Sequence, residues 1–287
     1  MKHDQAEGLR RKLNSIHTPK EAKTISIISG KGGVGKSNFA LNFSLTLMSK
    51  QKKVLLFDLD VGMGNIDILM GVRANKTIID MFERKLSVHQ IIETGPNGLS
   101  YIAAGTGLTN FFKLSEGDKS HFYEQFKELL QMYDYILFDM GAGVTEDGLF
   151  FILASDECIV ITTPEPTSLT DAYGMIKHVI NNQKTMPVHI VMNRSSTYQE
   201  GLKSLTRFKE VVIKFLDVQI TPLGIIPDDK AVTQAVIRQV PYVLYNEKSK
   251  AAKAIKELTF NYLSNSKEIE RASPFYFVRK LKQFIER

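Results

Sequence analysis

Thiols are nearly absent from this sequence of 287 residues, in which Cys158 is the only cysteine. A disulfide framework, and any metal centre or iron–sulfur cluster built from several thiolates, are therefore excluded. The six histidines, at 3, 17, 89, 121, 178 and 189, are scattered, with no pair at metal-ligand spacing. No apolar run approaches the roughly 20 residues that span a bilayer. The opening Met-Lys-His-Asp-Gln lacks the apolar stretch of a secretory signal, so cytoplasmic residence is the expectation. Internal repeats and low-complexity tracts are missing too. What is present is ordinary globular material, 43% hydrophobic and 24% charged, which excludes whole-chain disorder. The length suits two average domains or one large α/β domain.

Net charge is also missing from the middle of the chain. Residues 1–23 carry six Lys/Arg against three acids, and residues 266–287 again carry six against three. Removing those twelve from the 37 basic residues and those six from the 31 acidic ones leaves 25 of each between. The net +6 thus sits in the two ends, and a body that wraps nucleic acid is not expected.

Apolar runs of strand length lie at 24–29, 54–58, 99–104, 135–139, 157–162, 188–193 and 223–226. Most are hydrophobic almost throughout, as strands buried on both faces of a parallel sheet are. Helical patterns at 38–50, 119–133, 169–183, 199–215 and 247–262 alternate with them. The alternation predicts an α/β fold: a doubly wound, mostly parallel sheet with helices on both faces. His17-Thr18-Pro19 and Ala272-Ser273-Pro274 break the pattern. The expected organisation is an N-terminal segment 1–23, a core 24–263, and a linker with a terminal helix over 264–287. Cys158 falls within an apolar strand and reads as a core thiol.

Gly30-Lys31-Gly32-Gly33-Val34-Gly35-Lys36-Ser37, followed by Asn38, fits G-x-x-x-x-G-K-[ST] between a strand and a helix. Glycines let backbone N–H groups close around phosphate oxygens. Lys36 would neutralise the β- and γ-phosphates, Ser37 would ligate Mg²⁺, and the helix N-terminus would add partial positive charge. A nucleoside triphosphate is the expected ligand. Lys-Gly-Gly-Val-Gly-Lys-Ser, with Lys31 ahead of the glycine pair, resembles the deviant Walker A loop of the MinD/ParA ATPases. That resemblance implies a P-loop fold and an ATP-sandwiched homodimer in which Lys31 reaches the partner subunit's phosphates.

Val54-Leu55-Leu56-Phe57-Asp58-Leu59-Asp60 ends a strand with two carboxylates at i and i+2, on one side. The stretch 61–67 after them is similar to the family's first switch. The resemblance implies that Asp60 activates the attacking water. Asp58 has three open readings: the Mg²⁺ shell, a contact to Lys36, or a strand-end cap. Tyr135-Ile136-Leu137-Phe138-Asp139 has the Walker B form, with Asp139 toward Mg²⁺. Gly141-Ala142-Gly143 resembles the second switch. No Asn/Thr-Lys-x-Asp guanine-reading segment follows a strand, so ATP is favoured over GTP. Asn193, Arg194, Pro227 and Asp228 stand where the family reads adenine.

The ends add two further features. Asp4-Gln5-Ala6-Glu7-Gly8-Leu9-Arg10 is similar to the activator motif of the FlhG group, MinD-like ATPases of flagellar number and placement. The resemblance implies docking of Asp4, Gln5, Leu9 and Arg10 on an FlhF-type GTPase, and partnership with flagellar switch or C-ring proteins. At the other end Phe277, Leu281, Phe284 and Ile285 follow i, i+4, i+7, i+8 with Arg279, Lys280, Lys282 and Arg287 around them. Such a helix suits either an anionic membrane surface or docking on its own core, and both readings stand. The expectation is a MgATP hydrolase acting as a dimerising switch that binds membrane peripherally in its ATP state. Its rivals are a DNA-partitioning ATPase and a division-site regulator.

Overall fold

The computed structural model describes residues 21–60, 64–105, 115–143, 146–265 and 274–285. The activator residues Asp4, Gln5, Leu9 and Arg10 lie outside them. In chain order the elements are β1 (Lys23–Ile28), α1 (Lys36–Met48), β2 (Val54–Leu59), α2 (Ile66–Met70), α3 (Ile78–Glu83), α4 (Val88–Ile91), β3 (Glu93–Thr94) and β4 (Ser100–Ile102). There follow α5 (Glu116–Met132), β5 (Tyr135–Met140), α6 (Glu146–Ala154), β6 (Glu157–Thr162), α7 (Pro166–Asn182), β7 (Val188–Ser195), α8 (Tyr198–Leu216) and β8 (Thr221–Pro227). The chain then forms α9 (Lys230–Ile237), α10 (Tyr242–Tyr245), α11 (Lys250–Asn265) and α12 (Tyr276–Ile285).

The eight strands form one sheet in the order β3-β4-β2-β5-β1-β6-β7-β8. Every pairing is parallel except β3 with β4. The central strands β2, β5 and β6 are buried at every position, because helices cover both faces and leave no side for alternating polar residues. One hydrophobic layer, with Phe39, Phe43, Leu56, Leu137 and Tyr262, lies under α1 and α9–α11. The other, with Phe126, Phe138, Phe151, Ile176 and Val212, lies under α5–α8 and α12. The β2/β5 register places Asp58 directly beside Asp139.

All seven expected strands are present, and the expected helices form with local chemistry to start them. Ser115 and Thr197 cap α5 and α8 by accepting from Asp118 and Glu200 backbone N–H groups, and Pro166 opens α7. Not anticipated were β3 and the helices α2, α3, α4, α6, α9 and α10. Helix α6 (Glu-Asp-Gly-Leu-Phe-Phe-Ile-Leu-Ala) hides from periodicity because its second half is apolar throughout. It lies between the sheet and α12, where a polar face has no place.

Of the two readings for the terminal helix, the structure shows docking. Phe277, Val278 and Leu281 are buried. Phe277 stacks on Phe126 with ring centres 4.5 Å apart and on Phe138 at 5.2 Å. Phe284 stacks on Phe150 at 5.9 Å, and Ile285 packs on the same layer. In this conformation the face assigned to the membrane is turned inward, for the general reason that aromatic area is stabilised by removal from water. Among the described residues no helix is long and apolar enough to cross a membrane.

Candidate nucleotide site

The loop 30–37 leaves the central strand β1 and turns into α1 at the C-terminal edge of the sheet. Its glycines are required by contact and by conformation. A Cβ on Gly30 would lie 2.2 Å from the Asp171 carbonyl, since α7 packs directly on the loop. Gly35 has φ 92°, in the left-handed region, and a Cβ there would meet Asn193 Nδ2 at 2.5 Å. As N-cap of α1, Gly35 offers no side-chain acceptor. The first N–H groups of a 13-residue helix are thereby left for an anion.

Lys36 is buried and turned into the site, where its Nζ donates to Asp139 Oδ1 at 2.5 Å and approaches Asp60 Oδ2 at 3.9 Å. Ser37 Oγ is 3.5 Å from the same Nζ. The second oxygen of Asp139, Oδ2, is buried and has no hydrogen-bond partner. An orphaned carboxylate oxygen of this kind is costly unless a ligand completes it, and it fits a divalent cation. Among the described residues no three His, Cys, Asp or Glu side chains converge to hold a bare ion. A Mg²⁺ here would draw on Asp139, Ser37 and nucleotide oxygens, the hard-oxygen set it prefers.

For Asp58 the structure shows the contacts of a strand-end cap, with the Lys36 charge acting on it from nearby, and leaves the Mg²⁺-shell reading a proposal. The Asp58 carboxylate accepts from the Asp60 N–H at 2.9 Å and from the Ile66 N–H at 3.4 Å, so it shapes the first switch as a strand-end cap. Contact with Lys36 passes instead to Asp139 and Asp60, which stand nearer the loop. Burial and the neighbouring Asp139 charge push Asp58 up to about 7, against the opposing pull of its two backbone hydrogen bonds. Asp60 is raised as well, by burial first, with Lys36 opposing and Asp139 adding. A carboxylate raised toward neutrality is better suited to accept a proton from water.

Lys31 stands on the rim. Its Nζ donates to Thr167 Oγ1 at 3.1 Å and faces Glu165 Oε2 at 3.6 Å, with both charged side chains largely in solvent. Glu165 and Thr167 were not foreseen, because no motif marks them; they enter because α7 begins beside the loop. On the base side, Asn193 Nδ2 donates to Val34 O at 2.7 Å, tying β7 to the phosphate loop. Arg194 is exposed with φ 55°. The Asp228 N–H donates to Ser195 O at 2.8 Å, which brings Pro227 and Asp228 beside Asn193 and Arg194. Asp229, which ends the Gly224–Asp229 stretch that resembles the family's second base-side loop, braces it: one oxygen caps α9 at Ala231 N and the other accepts from Ala251 N of α11. All the loop, acidic and base-side residues named from sequence thus meet at one edge. Phe277 and Leu281 lie away from it, in the helical layer beneath α6 and α12.

Comparison with known proteins agrees with this geometry. A family model described as ParA, NUBPL iron-transfer P-loop NTPase, matches residues 20–263. The antiactivator FleN of Pseudomonas aeruginosa is 30% identical over 246 residues, covering 86% of this chain and 87% of FleN. The flagellum site-determining protein YlxH of Helicobacter pylori is 31% identical over 242 residues, covering 82% and 81%. Among solved structures, the cell division ATPase MinD of Pyrococcus furiosus superposes with a TM-score of 0.70 at 25% identity, over 85% of this chain and all of that one.

Proposed function

This chain belongs to the ParA/MinD family of P-loop NTPases, and from that premise we propose that it is a MgATP-driven switch regulating flagellar number or placement. The observation that carries the switch reading is the convergence of Lys36, Asp139 and Asp60 on one buried point at the loop. The flagellar assignment draws on the similarity to FleN and YlxH.

Triphosphate binding would exchange partners within this set. The phosphates take the Lys36 ammonium from Asp139, and the loop N–H groups and the α1 N-terminus take the remaining charge. Bound Mg²⁺ supplies charge neutralisation at the phosphates. Asp60, with its raised proton affinity, orients water and accepts its proton. Lys31 exchanges Thr167 and Glu165 for the phosphates of a second subunit. Glu165 and Thr167 hold it only at the surface, where an ion pair contributes about 0–1 kcal/mol.

The same exchange reaches the terminal helix. Helix α6 follows the second switch directly, and its Phe150 and Phe151 form the seat of α12. Phe138, stacked on Phe277, is the residue before Asp139. A shift of the second switch on ATP binding would disturb this seat and free the apolar, basic-rimmed helix for an anionic membrane. The segment carrying Asp4, Gln5, Leu9 and Arg10 then serves an FlhF-type GTPase, and flagellar switch or C-ring proteins are the remaining partners.

The deciding experiment is ATP-dependent dimerisation by light scattering for wild type and Lys31→Ala. Dimer in the first and monomer in the second supports the sandwich; equal behaviour overturns it. A division-site role has the MinD superposition in its favour. It is separated by removing residues 1–20, which abolishes stimulation of the GTPase only if the flagellar reading holds. DNA partitioning has little support from a core in which charge cancels.

A further inference from the structure

Asn42 is a fully buried amide in the middle of α1, on the side that meets α10. The Val243 N–H donates to its Oδ1 at 3.0 Å. That donor needs an acceptor from outside, because Val243 lies in the first turn of α10, where backbone N–H groups have no partner within the helix. The nitrogen of the same amide faces one turn back along α1. Asn42 Nδ2 donates to Asn38 O and to Asn38 Oδ1, each at 2.8 Å. Both of its hydrogens and its oxygen are therefore in use, as burial requires.

These contacts fix two amides in series. A backbone N–H can only donate, so the Asn42 atom facing Val243 is the oxygen, and the nitrogen faces Asn38. An amide nitrogen can likewise only donate, so the Asn38 atom facing Asn42 is Oδ1. The Asn38 NH₂ group is then the side turned away from Asn42. Asn38 follows Ser37 directly in the first turn of α1 and is only half-buried. We propose that Asn42 is a positioning residue of the nucleotide site, holding the Asn38 amide so that its NH₂ group donates to phosphate oxygens of the bound nucleotide. The inference rests on the reading above, in which the loop 30–37 holds a triphosphate. A donor at Asn38 adds to the N–H groups at the start of α1, whereas the flipped amide would set a carbonyl oxygen against an anion. The anchor comes from the base side: α10 follows α9, the helix that Asp229 caps. Asn42 ties those elements to the turn that meets the phosphates.

The test is a double-mutant cycle in the full-length protein, read as the dissociation constant of mant-ATP with Mg²⁺. Asn38→Ala should weaken binding about tenfold, the scale of one hydrogen bond to a charged acceptor. Asn42→Asp keeps an acceptor for Val243 but puts an oxygen opposite Asn38, which turns the Asn38 NH₂ group inward, and it should weaken binding at least as much. Asn42→Ala leaves Asn38 free to turn and should lose less, about threefold. In the Asn38→Ala background each Asn42 change should alter affinity by less than about twofold. A purely structural Asn42 would cost the same in both backgrounds, so additive losses overturn the proposal, as does wild-type affinity in Asn38→Ala. Asn38→Asp leaves the buried residue untouched, keeps its acceptor and replaces the donor by oxygen. It should bind more weakly than Asn38→Ala, and equal or tighter binding overturns the donor role. If the wild type does not bind mant-ATP, the nucleotide reading fails and the positioning role with it. Wild-type binding with additive losses removes the role of Asn42 alone.

Discussion

Buried ionisable groups gather at both ends of the sheet, and the two sets are built on opposite terms. At the base, where β1, β6 and β7 begin, Glu157 is surrounded by donors. Lys23 Nζ lies 2.7 Å from its Oε2 and His189 Nε2 3.3 Å from the same oxygen, while the Tyr262 hydroxyl donates to Oε1. An ionised carboxylate can only accept, so His189 must present Nε2–H here. The Lys23 ammonium also lies over the Tyr262 ring, 5.2 Å from its centre. Burial alone would raise Glu157, but His189 and Lys23 outweigh it and hold the group at about 2. At the nucleotide edge Asp139 and Asp60 share one ammonium, with Asp58 beside them. Asp58 is raised to about 7, Asp60 is raised, and Asp139 keeps an oxygen without a partner. At the base both Glu157 oxygens have donors, with His189 Nδ1 left without a partner, and the cluster holds strands together. The acidic one is a site waiting for charge from outside, which is where perturbed groups mark function.

The contrast can be broken most directly at the base. Glu157→Ala removes the buried acceptor that Lys23, His189 and Tyr262 share and should cost about 3–5 kcal/mol of stability by urea denaturation, with nucleotide affinity of the folded protein unchanged. A loss under about 1 kcal/mol would show that the base cluster does not stabilise the sheet. At the nucleotide edge the balance reverses. Asp139→Asn should lower ATP hydrolysis about 10²- to 10³-fold, the scale for one preorganised electrostatic group. It removes the charge paired with the buried Lys36 ammonium but relieves a like-charge neighbour of Asp58 and keeps an acceptor oxygen, so the stability loss should be smaller than for Glu157→Ala. A large stability loss would place Asp139 with the structural ions instead.

Acidity separates the two ends further. Asp58 has a raised pKa in the folded state, so its contribution is full below about 4 and is lost as pH rises through about 7. Glu157, lowered to about 2, contributes above about 4.5 and loses that contribution as pH falls toward 2. Without nucleotide or metal, stability should therefore decline between pH 4.5 and 7.5, by at most about 1.4 kcal/mol per pH unit for one proton. Asp58→Asn should flatten that slope in a urea series, and an unaltered slope would remove Asp58 as its source. The smallest effect belongs to the rim. Glu165→Gln should change stability by less than about 0.5 kcal/mol, since the pair it breaks with Lys31 is solvated.

Much of the nucleotide edge was legible because its chemistry is local. The 30–37 loop, Asp58 with Asp60, and Asp139 each occupy fixed offsets from a strand end, and the fold only had to bring those ends together. The Asp58 capping contacts were not legible, because they depend on where the Ile66 N–H falls, eight residues on. Glu165 and Thr167 were missed because Lys31, which they touch, lies on a loop far away in sequence. Helix α6 was missed because a helix covered on both sides has no polar stripe to show its period.

The basic ends follow the same division. Composition alone located the charge outside the balanced core and gave the terminal helix its apolar face, since counts and spacing are properties of the chain itself. Whether that face meets lipid or protein was a competition between two apolar environments, which periodicity cannot rank. The tertiary structure decided it for this conformation by offering Phe277 a ring-lined slot formed by Phe126, Phe138 and Phe151, residues from three separate elements. Likewise the sequence determined that Glu157, Lys23 and His189 would be charged or titratable. Only the parallel alignment of three strand starts brought them together, because electrostatic pairing acts over a few ångströms, while Glu157 lies 32 residues from His189 and far further from Lys23 along the chain.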